Sequence, residues 1–210
     1  MHATVDHLLY GCSELELGTD EIERLTGVRP RYGGQHLGLG THNALLSLGE
    51  RTYLEVIAPD PSQLDASPPP YGIASLRAPA LRAWAAAPDR IEAAVRDARA
   101  AGAAYTEVTT HTRRAPGGEE VRWRMSTLPD EGDRLAILPF LIDWGATIHP
   151  AERAPKGVRL VRFHVLSPEP ALLQRTLGAI GADVAVLASE TPGLEALLVG
   201  PSGREALLRS

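Results

Sequence analysis

Thr4-Val5-Asp6-His7-Leu8-Leu9-Tyr10, followed by Ser13-Glu14-Leu15-Glu16 and closed by Gly27, is the stretch on which the reading of this chain turns. Its first seven residues are rich in strand formers. A serine followed three residues later by a glutamate is a capping box, in which each side chain satisfies the other residue's backbone N–H. The helix it opens carries Leu15, Ile22 and Leu25 on one face, and Gly27 supplies a left-handed stop.

The same punctuation returns twice. Leu81 to Ala87 is followed by Asp89 with Glu92 in the box position, by Ile91, Ala94, Val95 and Ala98 on one face, and by Gly102. Val161 to Leu166 is followed by Ser167, with Pro168 at the first helical position, then Leu172, Leu173, Leu177 and Ile180, and by Gly181. The caps stand 76 and 78 residues apart, and the cap-to-glycine distances are 14, 13 and 14. Three such patterns in register indicate repeated supersecondary units.

Strands fill the rest of each unit. The first unit places them at Val28 to Tyr32, His42 to Leu48 and Thr52 to Ala58, and the second at Tyr105 to Thr112, Glu120 to Thr127 and Leu135 to Asp143. The third has Asp183 to Ala188, Leu194 to Val199 and Arg204 to Leu208. Breaks such as Ala115-Pro116-Gly117-Gly118, Pro129 to Asp133 and Thr191-Pro192-Gly193 supply the turn chemistry. Each unit therefore reads strand–helix–strand–strand–strand, and the fold class is α+β. Residues 1–150 form a domain of two such units (1–60 and 80–145), and 157–210 add a third.

Composition narrows the function. At 210 residues, 44% hydrophobic and 22% charged, the chain can bury a core without staples. Of its 21 basic residues only Lys156 is a lysine; the arginines are scattered among acids and the net charge is −5. Nucleic acid is not an expected partner, since a binder would show a basic stripe. No stretch approaches a membrane span and the N-terminus does not read as a signal peptide. With a single cysteine, Cys12, there is neither an intramolecular disulfide framework nor a cysteine zinc site, so a cytoplasmic protein is expected. Unpaired sheet edges point to a homodimer.

A repeated βαβββ unit resembles the vicinal oxygen chelate superfamily, which includes glyoxalase I, extradiol dioxygenases and bleomycin-resistance proteins. Asp6-His7, Gly33-Gly34-Gln35-His36, Gly40-Thr41-His42-Asn43-Ala44-Leu45 and Tyr53-Leu54-Glu55 resemble the glyoxalase-like domain branch in order and spacing. Leu138 to Trp144 with His149-Pro150 resembles the ending of that branch's second unit. The resemblance implies an eight-stranded open cup made by the first two units around a small-molecule site. The third unit would extend the sheet or make a dimer contact.

In metal-using relatives the first strand of a unit supplies a His or Gln and the last a Glu, positions held here by His7 and Glu55. The resemblance thus implies a divalent metal (Zn, Ni, Fe or Mn) at His7 and Glu55. Alternation places Val5, His7 and Leu9 on one face, and Tyr53, Glu55 and Ile57 on another. The matching positions of the later units, Ala83 and Val161, and Leu141 or Ile142, bind no metal; His36, His111 or His149 could complete the set from a loop. Without metal, His7 and Glu55 could act as a base dyad or be a buried structural pair. His36, Thr41 and Asn43 are candidate substrate contacts, and Thr41 and Asn43 share the face of Leu45. Three readings stay open: a lyase, isomerase or dioxygenase acting on an oxygen-rich metabolite, a binding protein that encloses its ligand, and a scaffold whose cup is filled by side chains.

Overall fold

Alternation of apolar residues over two faces, interrupted by glycine and proline turns, produces a structure dominated by strands. The computed structural model describes all residues except 1, 64, 66–68, 116 and 130–134. The first unit comprises β1 (Ala3–Gly11), α1 (Leu15–Thr26), β2 (Arg31–His36), β3 (Thr41–Ser47) and β4 (Tyr53–Pro59). The second comprises β5 (Ala80–Pro88), α2 (Ile91–Ala100), β6 (Thr109–Arg114), β7 (Glu120–Ser126) and β8 (Phe140–Asp143). After a short helix, α3 (Pro150–Arg153), come β9 (Arg159–Ser167), α4 (Pro170–Ile180), β10 (Ala185–Ala188), β11 (Gly193–Val199) and β12 (Glu205–Arg209).

The strands of the first two units close into a barrel in the order β1-β4-β3-β2-β6-β7-β8-β5. Its seam is narrow where β2 meets β6, through the pair Gln35–Arg114. The third unit does not extend this sheet. It makes its own, in the order β10-β9-β11-β12, so the shared element order is paired differently from that of the first two units. That sheet lies against the outside of the barrel: Trp84 of β5 meets Phe163 of β9 edge to face, ring centroids 5.2 Å apart. One continuous apolar cluster runs from Leu8, Leu46 and Leu54 through Ala94 and Trp84 to Val165, Leu177 and Leu198. A second fills part of the barrel interior with Leu9, Leu45, Ile57, Trp123, Phe140, Ile142 and Trp144.

Several local expectations are corrected. The helices begin at Leu15, Ile91 and Pro170, and the residues just before them make no side-chain cap hydrogen bond, although Ser167 Oγ accepts from the Glu169 backbone N–H at 3.1 Å at the entry to α4. Glu16 is drawn to Arg29, Glu92 bonds a backbone N–H of its own turn as well as Arg124, and Asp89 accepts from the His2 backbone N–H at 3.2 Å. At Glu16, charge-assisted bonds to a guanidinium outcompete a neutral backbone donor. Gly27 and Gly181 do stop α1 and α4 with left-handed φ of 80° and 79°. Strand β2 starts three residues late and takes in the glycines read as a loop, because Asn43 and Leu45 of β3 fill the space beside Gly33. Strand β6 lies at Thr109–Arg114 rather than from Tyr105, and β8 is confined to four residues. Parts of the expected Pro129-to-Asp133 turn, and Pro68 and Pro116, fall outside the described residues.

Candidate functional site

The interior of the barrel holds a cavity of about 460 Å³. Its wall is mainly apolar and aromatic, with Leu9, Ile57, Trp123, Phe140, Ile142 and Trp144 among the lining residues. Into it project all five residues singled out from the sequence: His7 from β1, His36 from β2, Thr41 and Asn43 from β3, and Glu55 from β4. An open cavity around His7 counts against the reading in which side chains fill the cup.

Strand β1 positions its part of the site through an irregularity that alternation does not foresee. The register against β5 slips between Val5 and His7, so Asp6 is the extra residue of a β-bulge. Val5 therefore packs on the outer cluster instead of sharing the face of His7 and Leu9. Asp6 and His7, though adjacent, both reach groups of the interior. Asp6 Oδ1 accepts from His7 Nδ1 at 2.6 Å, and both of its oxygens accept from Trp144 Nε1, at 3.2 and 3.1 Å. Its Oδ2 also accepts from His149 Nε2 at 3.1 Å.

These contacts assign the protons. His149 caps α3, its Nδ1 accepting from the Ala151 backbone N–H at 3.2 Å, so its Nε2 carries the hydrogen given to Asp6. His7 gives Asp6 its Nδ1 hydrogen, which leaves Nε2 as the nitrogen facing Glu55 Oε2 at 3.4 Å. Tyr53 stacks on the imidazole at 4.4 Å and Phe140 meets it edge-on at 5.2 Å, fixing the ring plane. Burial raises the Asp6 carboxyl, but the hydrogen bonds from His149 and His7 outweigh it and hold the group below its ordinary value, as a carboxylate. Burial also keeps Tyr53 a neutral phenol, reinforced by Glu55 and Asp6.

Glu55 is held from the other side. Asn43 Nδ2 donates to Glu55 Oε1 at 2.6 Å, and His36 Nε2 lies 3.6 Å from the same oxygen. His36 Nδ1 is 2.9 Å from the Thr41 hydroxyl. The three candidate substrate contacts thus also form the scaffold that aims Glu55. Asn43 Oδ1 is buried without a hydrogen-bond partner among the described residues, packed beside Gly33. A Cβ on Gly33 would lie 2.5 Å from that oxygen, so only glycine leaves the amide its place.

The donors fall short of a chelate. Among the described residues no three His, Cys, Asp or Glu side chains are grouped to hold a metal ion. His7 and Glu55 supply two donors where catalytic sites commonly present three. An amide N–H already occupies the second oxygen of Glu55, and the facing strands contribute Ala83, Ala85, Phe140 and Ile142. Of the three histidines considered, His36 stands nearest, its Nε2 3.6 Å from Glu55 Oε1 and 3.3 Å from Asn43 Nδ2, while His149 is engaged with Asp6 and His111 stacks on Trp123 at 6.0 Å.

Sequence reasoning missed Asp6 as a functional group, because alternation sends it to the face opposite His7. His149 was considered only as a loop donor for a metal; a histidine just before a proline at the first position of a helix was the available signal for its capping role.

Burial lowers the proton affinity of His36, His42 and His111, for His36 against the pull of Glu55. The unfolded chain takes up these protons near pH 6.5 while the folded chain still refuses them, so stability falls as pH drops through that region. Asp6 adds a further loss below its ordinary value of 3.8, where the unfolded carboxyl protonates first. Urea unfolding midpoints are expected to decline from pH 8 to pH 5, less steeply in His36→Gln; a flat profile would contradict this.

A family model described as "Glyoxalase-like domain" matches residues 5–181. A comparison with curated proteins finds no match. Among solved structures, a hypothetical protein from Staphylococcus aureus is 14% identical, with a TM-score of 0.62 over 99% of this chain and 85% of that one. A triple mutant of 4-hydroxymandelate synthase from Streptomyces coelicolor is 13% identical, with a TM-score of 0.52 over 99% of this chain and 62% of that one. Methylmalonyl-CoA epimerase from Mycobacterium tuberculosis is 20% identical over 67% of this chain and 87% of its own, at a TM-score of 0.42, too distant to bear on this chain. At these identities the first two likenesses concern the fold alone.

Proposed function

The chain belongs to the glyoxalase-like domain family, and from that premise we propose that its barrel cavity is the active site of a small-molecule isomerase or lyase that moves a proton beside a carbonyl. The observation that carries this reading is the buried line Asp6–His7–Glu55, which ends at the cavity. Asp6 fixes the imidazole tautomer and stabilises the imidazolium once it forms, the role a carboxylate plays behind a catalytic histidine. His7 Nε2 takes the proton from carbon; the C–H electron pair becomes an enolate, with its charge on the former carbonyl oxygen. Glu55, 3.4 Å from that nitrogen, shares the proton and returns it at the neighbouring atom. His36, Thr41 and Asn43 keep Glu55 aimed. No step is routed through a divalent metal, since among the described residues no three donors are grouped to hold one.

The test follows solvent deuterium entering 2-oxo acids, 2-oxoaldehydes and hydroxyketones in D₂O by proton NMR. Exchange by the wild-type chain is expected, falling by about 10² to 10⁴ in His7→Gln, the range for a lost general base. Exchange unaffected by His7→Gln would overturn the assignment. A second reading, a non-catalytic protein that encloses its ligand, is favoured by the β5 and β8 side of the cavity, where Ala83, Ala85, Phe140 and Ile142 carry no chemistry. It predicts that panel members quench tryptophan fluorescence and are recovered without deuterium.

A further inference from the structure

The acid–base chemistry above makes no use of Arg113. This β6 side chain is 8% exposed and lines the interior cavity. It also lines an open groove of about 1080 Å³ that shares Leu45, Trp123 and Trp144 with that cavity. Its Nη1 donates to the Gly33 carbonyl, and among the described residues no carboxylate lies within ion-pairing distance of it. The other arginines of the groove differ: Arg122 pairs with Glu120, Arg124 with Glu92 and Asp143, and Arg153 with Glu119.

A buried guanidinium without a counter-charge is costly, and one carbonyl satisfies only one of its five N–H groups. Its charge is felt in the cavity. After burial and the opposing pull of Glu55, it helps to keep His36 unprotonated. The unmet cation therefore faces the space a ligand would enter.

We propose that Arg113 is the anchor for a carboxylate on the ligand, held where cavity and groove meet, with the reactive carbon directed inward to His7. The inference deepens the reading of the cavity as an acid–base site by naming the substrate class, small carboxylic acids. A planar guanidinium matches the two oxygens of a carboxylate or a phosphate equally well. The surroundings decide between them. Leu45, Trp123 and Trp144 make an apolar wall beside the guanidinium, and a monoanion is less costly to place against it than a dianion.

The test is thermal unfolding of the full chain in formate, acetate, inorganic phosphate or chloride at equal ionic strength, with acetamide as the neutral isostere. Acetate and formate are expected to raise the wild-type midpoint by about 3 °C over chloride, by mass action on the folded state. Acetamide is expected to do nothing, Arg113→Gln to abolish the shift, and Arg113→Lys to keep part of it. If Arg113→Gln fails to fold, Arg113→Lys and acetate-dependent changes in wild-type tryptophan fluorescence carry the decision. The proposal is overturned if acetate matches chloride in the wild type, or if Arg113→Gln keeps the full shift. A shift with phosphate and none with formate or acetate overturns the carboxylate assignment. No turnover enters this measurement: anion binding without deuterium exchange would remove only the acid–base reading, and exchange without anion binding would remove only this one.

Discussion

Replacing Asp6 by asparagine is expected to remove about 3 to 5 kcal/mol of folding stability, the range for breaking a buried charged network. Three N–H groups converge on this carboxylate, from His7, Trp144 and His149, and it is 1% exposed. Asparagine offers one acceptor oxygen and an NH₂ group. Whichever way it turns, at least one of the three donors meets another donor, and the buried group left unpaired carries its full desolvation penalty. The same substitution removes the carboxylate that assigns the His7 tautomer. If His7 is the base, deuterium exchange should fall by about 10⁴-fold, as when the aspartate behind a catalytic histidine becomes an amide. Urea unfolding and the exchange assay read the two effects separately. An unchanged midpoint would show that the network contributes nothing to the fold.

The second large effect is expected far from the cavity. Gly200 follows β11 as the chain turns toward β12, and a Cβ there would lie 2.0 Å from the carbonyl oxygen of Thr26 and 3.0 Å from its carbonyl carbon. Both are backbone atoms at the end of α1, tied in place by bonds from Thr26 Oγ1 to Ile22 and from Gly27 N to Glu23. They cannot swing aside as a flexible side chain would. Gly200→Ala must therefore push the third unit away from α1, loosening the bond from Arg204 Nη1 to the Arg24 carbonyl as well. We expect a loss of about 3 kcal/mol, the upper part of the usual range for overpacking. For a chain of this size that lowers the thermal midpoint by about 6 to 12 °C. Gly49→Ala, with open space around its Cβ, should leave the midpoint in place. Equal midpoints for the two variants would mean that the contact with Thr26 is not tight.

Much of the architecture was legible because it is local. Gly27 and Gly181 end helices where their spacing says, and the alternation in β11 and β12 needs only neighbouring residues to declare a face. His7 and Glu55 were found through the family resemblance, and Thr41 and Asn43 through the face they share with Leu45. The first capping box misled for an equally physical reason. Glu16 satisfies the local pattern, but Arg29, brought alongside by the fold, takes its carboxylate together with those of Asp20 and Glu23.

By itself, then, the sequence determined the repeated strand–helix–strand order, the stops between elements and the inward face of strands such as β11 and β12, since these depend on contacts within a few residues. The tertiary structure decided which strands pair and where the third sheet rests. It decided, too, that Asp6 turns inward at a bulge to meet Trp144 and His149 from 138 and 143 residues away, and that Arg113 is buried without a carboxylate in reach among the described residues. Those outcomes rest on burial and on charges meeting across the barrel, which no stretch of neighbouring residues contains.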